Sequence, residues 1–351
     1  MLTSTETSSG TTIQTTTNVI TTVAGSTTAP ITSTVQGTTT TTTAPITSTV
    51  QGTTTTTTAP ITSTTTGCPG CCGVTVGTGL SQPLYITIDV SGNFFVSDSG
   101  SSEIIYFTPG STTGTTVYSG GDYYEGIHII SNETVYFADH ASYCVRKSTN
   151  ATGNATCVAG VDGVSGLAPN HFNFPKGVYA ENTGTFYVAD SMNKVVLKFF
   201  SNSTSGTNGT IVAGNQTAPT LSSPSDVYLV SGSGNLYVAD SGNKHVVRWS
   251  SGADPTTGGV VVASNTLNSI FGIVVTADEQ TLFVSDQGAN CVKKFTIGTD
   301  SATIFAGNGT AGSGPHQLSG PVGLALDSTE QYLYVVDTGN TRIQRFYIPS
   351  C

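Results

Sequence analysis

Beyond residue 67 the chain alternates short apolar runs with breaks of Gly, Ser, Thr, Asn and Asp, and no stretch holds a helical period. Runs such as Val322-Gly-Leu-Ala-Leu-Asp327 predict short β-strands separated by tight turns. One pattern recurs six times: two apolar residues, then Ser, Ala or Val, then Asp. It ends at Asp98, Asp139, Asp190, Asp240, Asp286 and Asp337, with spacings of 41, 51, 50, 46 and 51 residues. Small turn residues follow each Asp, then a second apolar strand. Nine residues past the Asp stands Phe107, Phe199, Trp249, Phe295 or Phe346, and Ser148 in the second copy.

An opening signal precedes each pattern. Leu or Phe, two residues, then Pro occurs at Leu80 to Pro83, Phe172 to Pro175, Leu221 to Pro224 and Leu318 to Pro321. The fifth copy, from Leu267, has Ile270 at the Pro place, and the second copy lacks the signal. Gly177, Gly272 and Gly323 stand two residues after that place. Each unit therefore predicts four strands, a to d. A lone unit of this kind cannot bury its own faces, and six closed in a ring leave only short, protected edges. The expected fold is all-β: a six-bladed β-propeller of four-stranded antiparallel blades over residues 68–351. The last copy stops after strand c, so Gly73-Val-Thr-Val-Gly-Thr-Gly79 is expected to close blade 6 as its strand d.

These motifs resemble the NHL-repeat family. The residues that carry the resemblance are Phe172-Asn-Phe-Pro-Lys-Gly-Val178, Tyr187-Val-Ala-Asp-Ser-Met-Asn193 and Asp337-Thr-Gly-Asn-Thr-Arg-Ile-Gln-Arg-Phe346, and it extends over residues 74–351. The resemblance implies several possible roles. One relative is a peptide-amidating lyase with a zinc and an essential Arg and Tyr, a set with no matching positions here. Other six-bladed propellers are lactonases with a carboxylate-bound metal, and no such carboxylate cluster is evident. Relatives joined to a RING finger act in ubiquitin transfer, and this chain has no RING-type Cys/His array.

Residues 1–67 read differently. They contain 32 Thr and 7 Ser, one charged residue (Glu6) and no aromatic residue, with a 15-residue unit recurring around Ala29-Pro30, Ala44-Pro45 and Ala59-Pro60. Too little apolar area is present to offset ordering the backbone, so a disordered, mucin-like stalk or linker is expected. No signal peptide follows Met1 and no run is long enough to span a bilayer. The remaining features suit an extracellular or cell-surface protein, so an upstream continuation is expected.

Antiparallel order assigns two faces. The d–a links and b–c turns share face X, and the a–b and c–d turns share face Y. Of seven N-glycosylation sequons, Asn132, Asn150, Asn154, Asn202 and Asn208 fall on face Y, and Asn215 and Asn308 on face X. A sugar-covered face Y, to which the stalk also leads, leaves face X as the expected binding face.

Seven cysteines leave at least one unpaired. Cys144 and Cys157 fall on adjacent strands of blade 2 and are expected to form a disulfide, as an oxidising compartment allows. Cys291 lacks an equivalent partner and is the candidate odd thiol. Cys351 is expected near Cys71 and Cys72. Cys68-Pro-Gly-Cys71 has metal-ligand spacing but no second ligand pair nearby in sequence.

Only 32 of 351 residues are charged, and residues 68–351 hold 11 basic against 20 acidic ones, which speaks against a nucleic-acid partner. The six repeat Asp residues are read as structural, each capping its own b–c turn. His140, His171, His245 and His316 map to face X, and His140 and His171 are close enough in topology to meet. No nucleophile elbow, phosphate loop or metalloprotease motif is present. No catalytic residue, metal or cofactor is assigned. The expected function is non-enzymatic recognition of a protein or glycan through face X. The alternative is a secreted metal-dependent hydrolase or lyase with a site at the central channel.

Overall fold

The computed structural model describes residues 46–50, 53–57, 72–121, 123–130, 134–149, 154–215 and 220–348. The chain divides into two units, Met1–Thr66 and Gly67–Cys351. In the first, strands Ile46–Val50 and Thr53–Thr57 pair antiparallel as a two-stranded sheet. The β-branched Thr and Val residues favour extended backbone, although a lone hairpin is at best marginally stable in water.

The second unit is a six-bladed propeller, and every blade is a four-stranded antiparallel sheet. The innermost strands are Pro83–Ile88, Tyr124–Ile130, Pro175–Ala180, Pro224–Val230, Ile270–Val275 and Pro321–Leu326. The fourth strand of blade 6 is Val74–Gly77, paired to Arg342–Tyr347. The first and last segments of the propeller thus share one sheet.

Six apolar clusters fill the six seams between neighbouring blades. The repeated aromatics Phe107, Phe199, Trp249, Phe295 and Phe346 are all at most 3% exposed and each faces the preceding blade. Burial of such rings is the main term holding blade to blade. The seam between blades 1 and 2, where Ser148 stands in place of an aromatic, is filled instead by Tyr118. Its ring lies 5.6 Å from Tyr124 and 4.9 Å from Phe137.

The b–c turn is also a strict repeat. The fourth residue after the Asp takes the left-handed conformation in every copy: Ser102, Tyr143, Lys194, Lys244, Asn290 and Thr341, with φ between 50° and 62°. None is glycine, so the turn is held by its surroundings rather than by local preference.

Those surroundings centre on the Asp. Within its own turn Asp139 accepts from Ser142 N, and Asp190, Asp240 and Asp337 accept the side-chain amide of the Asn three residues on. Asp98, Asp190, Asp240, Asp286 and Asp337 also accept backbone N–H groups from the link that enters strand a of the same blade. Asp98 takes Ser81 and Gln82, Asp190 takes Asn173, Asp240 takes Ser222 and Ser223, Asp286 takes Asn268 and Ser269, and Asp337 takes Ser319. Pro83, Pro175, Pro224 and Pro321, and Ile270 in blade 5, sit directly opposite the Asp in the strand pair, which places the link just before them beside the carboxylate. In blade 2 Tyr124 stands at that place, opposite Asp139. Blades are then tied to each other by hydroxyls one residue past the Asp: Ser99 donates to Tyr124 O, Ser241 to Ile270 O, and Thr338 to Pro83 O.

Candidate functional site

The six innermost strands run from face X to face Y around a central channel. Their third residue is Gly126, Gly177, Gly272 or Gly323 in four blades. A Cβ at any of these would come within 2.4–2.6 Å of the next blade's backbone. Blades 1 and 4, on opposite sides of the ring, carry Tyr85 and Asp226 there instead. Tyr85 crosses the channel and donates its hydroxyl to Ser225 O at 2.7 Å. Asp226 accepts Val227 N at 2.9 Å and Ile273 N at 3.0 Å. Burial pushes the Asp226 carboxyl up to about 7, the two backbone N–H groups opposing it. The Tyr85 phenol is raised well above its usual range, first by burial and then by the Asp226 and Glu125 charges. This pair divides the channel into an X end and a Y end.

At the X end, the second residue of each inner strand reaches the mouth. Glu125 of blade 2 lies there with Oε1 3.0 Å from His140 Nδ1, a contact whose angle does not meet hydrogen-bond geometry. The His140 ring lies 5.4 Å from Tyr123 and 4.6 Å from Phe174, and Phe174 lies 5.6 Å from Tyr143. Lys176 of blade 3 reaches the ring of Phe271 in blade 5, 5.5 Å from its centroid. Phe174 and Tyr143 both take left-handed backbone, with φ of 61° and 52°. The X mouth therefore presents three aromatic rings, an imidazole–carboxylate contact and a lysine.

At the Y end, the channel encloses a cavity of about 110 Å³ lined by residues including Tyr85, Thr87, His128, Tyr179, Asp226 and Tyr228. Burial lowers the His128 imidazole to about 4, so it is neutral at pH 7. The ring borders the cavity and is half-buried.

The repeat Asp residues lie outside both ends and are occupied by the fold. All six are at most 1% exposed. Three also meet a cation of their own blade, Asp139 with Arg146, Asp286 with Lys293 and Asp337 with Arg342, and Asp240 lies beside His245, all at 2.6–3.2 Å. His140 and His171 do not meet in the way the topology suggested. His140 faces Glu125, and His171 Nδ1 lies 2.8 Å from Asn170 Oδ1. Among the described residues no three His, Cys, Asp or Glu side chains converge as metal ligands.

Cys144 and Cys157 form a disulfide, Cα to Cα 5.9 Å, bridging diagonally because a bulge at Val145/Arg146 places Arg146 opposite Cys157. Cys291 is a buried free thiol whose acidity burial weakens, pushing it up to about 11. Cys72 Sγ lies 3.3 Å from Nε2 of His316, a neighbour 244 residues away that sequence spacing could not supply. Cys68, Cys71 and Cys351 lie outside the described residues, as do Asn132 and Asn150. Asn154, Asn202 and Asn208 are exposed in c–d loops on face Y; Asn308 is exposed and Asn215 half-buried in d–a links on face X. The channel residues were legible only as a break in the glycine pattern at Tyr85 and Asp226.

Residues 221–249, spanning the entry to blade 4 and its first three strands, match the NHL repeat family. No curated protein matches the chain. Among solved structures, a gluconolactonase from Xanthomonas campestris is similar at TM-score 0.62 and 12% identity, covering 78% of this chain and 89% of that one. Virginiamycin B lyase from Staphylococcus aureus is similar at TM-score 0.53 and 13% identity, covering 79% and 98%. An auxiliary nutrient binding protein from Bacteroides thetaiotaomicron is similar at TM-score 0.58 and 15% identity, covering 76% and 69%. At these identities the likeness establishes the fold. The chain is a six-bladed propeller, and residues 221–249 in its fourth blade match the NHL repeat.

Proposed function

We propose that the protein is an extracellular recognition module that binds a protein or glycan through the X mouth of its channel. The observation that carries this reading is the group of Tyr123, Tyr143 and Phe174 around His140. Two of these rings sit on left-handed backbone, a conformation that costs about 1–3 kcal/mol for a bulky residue and persists where surrounding structure holds it. None of the three is buried. Half-exposed rings beside one carboxylate, one imidazole and one lysine suit sugar stacking or an interface hot spot. The exposed sequons on face Y support the same orientation, with face Y as the sugar-covered side.

The test uses the secreted full chain on a glycan array and on an array of extracellular proteins. Phe174→Ala and Tyr123→Ala are expected to weaken any hit at least tenfold while the melting temperature stays within a few degrees. Silence on both arrays, or a hit that ignores both substitutions, overturns the reading. A stoichiometric zinc or calcium that survives dialysis turns it towards the metal-dependent hydrolase or lyase instead.

A further inference from the structure

The Y end of the channel is a second and chemically different place. The fifth residues of the innermost strands form its wall: Thr87, His128, Tyr179, Tyr228, Val274 and Ala325. Three consecutive blades supply an aromatic row. The rings of His128 and Tyr179 lie 4.3 Å apart, and those of Tyr179 and Tyr228 lie 5.2 Å apart. The opposite wall is aliphatic, and the floor is Tyr85 with Asp226.

The electrostatics of this cavity have one sign. Neither Lys nor Arg lines it. Glu181 and Glu330 stand close enough to raise the Tyr179 and Tyr228 phenols, after the larger effect of burial. The Asp226 carboxylate is 8% exposed, and among the described residues no Lys, Arg or His forms an ion pair with it. Its partners are two backbone N–H groups, whereas three of the six repeat Asp residues have an Arg or Lys of their own. Buried carboxylates are normally paired with a cation, and a low-dielectric cleft of one sign concentrates counter-ions.

We propose that this cavity binds a small organic cation, an alkylammonium head group, with its charge towards Asp226 and its methyl groups against Tyr179 and Tyr228. Aromatic rings combined with a carboxylate recognise such groups by cation–π and Coulomb attraction together. A neutral His128 adds no repulsion. The site is separate from partner binding at the X mouth, since Tyr85 and Asp226 lie between the two.

Calorimetric titration of the full chain at pH 8 tests the proposal, with tetramethylammonium, choline and the neutral choline isostere 3,3-dimethyl-1-butanol. Both cations are expected to bind at one site, at least tenfold tighter than the isostere. Asp226→Asn is expected to erase that preference, and Tyr228→Leu to weaken both cations about tenfold while leaving the fold intact. Equal affinity for choline and its isostere, or no saturable binding by either cation, overturns the proposal. Loss of function at the X mouth by Phe174→Ala leaves cation binding unchanged, so the two sites fail independently.

Discussion

Blades 3 and 4 are close copies that behave differently. Both carry Val-Ala-Asp-Ser-x-Asn, and both bury the Asp fully. In both, the carboxylate takes backbone N–H groups from the entering link and the side-chain amide of the Asn three residues on, at 2.7 Å. Yet burial pushes Asp190 up to about 7, whereas Asp240 sits below the usual carboxylate range. Burial opposes ionisation at Asp240 as well, but the hydrogen bonds from His245, Ser223 and Ser222 outweigh it. Five residues past the Asp, blade 3 has Val195 where blade 4 has His245, whose Nε2 lies 3.2 Å from Asp240. The repeated motif places the carboxyl; a neighbour outside the motif decides whether it is charged.

Blade 2 carries the comparison further. Tyr124 stands in place of Pro opposite Asp139, which pairs with Arg146 at 2.6 Å. A disulfide joins the two outer strands of this blade. Blade 2 also supplies Tyr123, Glu125, His140 and Tyr143 to the X mouth. The copy that departs most from the repeat is the copy that furnishes the candidate site, as expected where function relaxes local rules.

Among the described residues blade 2 alone is cross-linked, and removal of that disulfide should have the largest effect. The double substitution Cys144→Ser, Cys157→Ser opens a loop of sequence separation 13, for which the chain-entropy estimate is about 3 kcal/mol. Urea denaturation should show that loss, and a loss below about 1 kcal/mol would mean blade 2 is held by other means. Asp240→Asn comes next, at about 1–3 kcal/mol, because it weakens hydrogen bonds to a charged acceptor and strands His245. Asp190→Asn should cost less than Asp240→Asn at pH 7, since Asp190 is about half neutral there while Asp240 is ionised; equal costs would break the contrast.

The smallest effect is in the pH dependence. The folded Asp190 carboxyl titrates above its ordinary value of 3.8, so the native state holds more protons than the unfolded chain between pH 4 and 7. Stability therefore falls as pH rises through that window and levels off above it. Asp226 acts in the same direction, and Asp240 in the opposite one, losing its contribution as pH falls below the ordinary value. Val195→His should give Asp190 the partner that Asp240 has. Unfolding free energies at pH 5 and 7.5 should then show a smaller fall for the variant than for the parent; an unchanged fall would show that the neighbour does not set the charge.

Much of this was legible before any coordinates. The six Asp residues, the Leu-x-x-Pro openings and the aromatic nine residues past each Asp mark strands, turns and seams, because each depends on contacts within one blade or with the next. The pairing of Cys144 with Cys157 was legible for the same reason. The partner of each Asp was not. The link and the own turn both offer N–H groups, and only the packed strand pair settles which of them reach the carboxylate. His140 and His171 share face X in the sequence reading, yet His140 faces Glu125, with the Tyr123 and Phe174 rings beside it.

The sequence by itself determined the all-β ring, its six copies and its two faces. These follow from strand period, turn chemistry and repetition, which act over a few residues or one blade. Only the tertiary structure decided the channel. Tyr85 meets Ser225 140 residues away, and His128, Tyr179 and Tyr228 stand in a row although about 50 residues of chain separate each from the next. No local spacing encodes a distance across a closed ring, because that distance exists only after six seams have packed and the last strand has paired with the first.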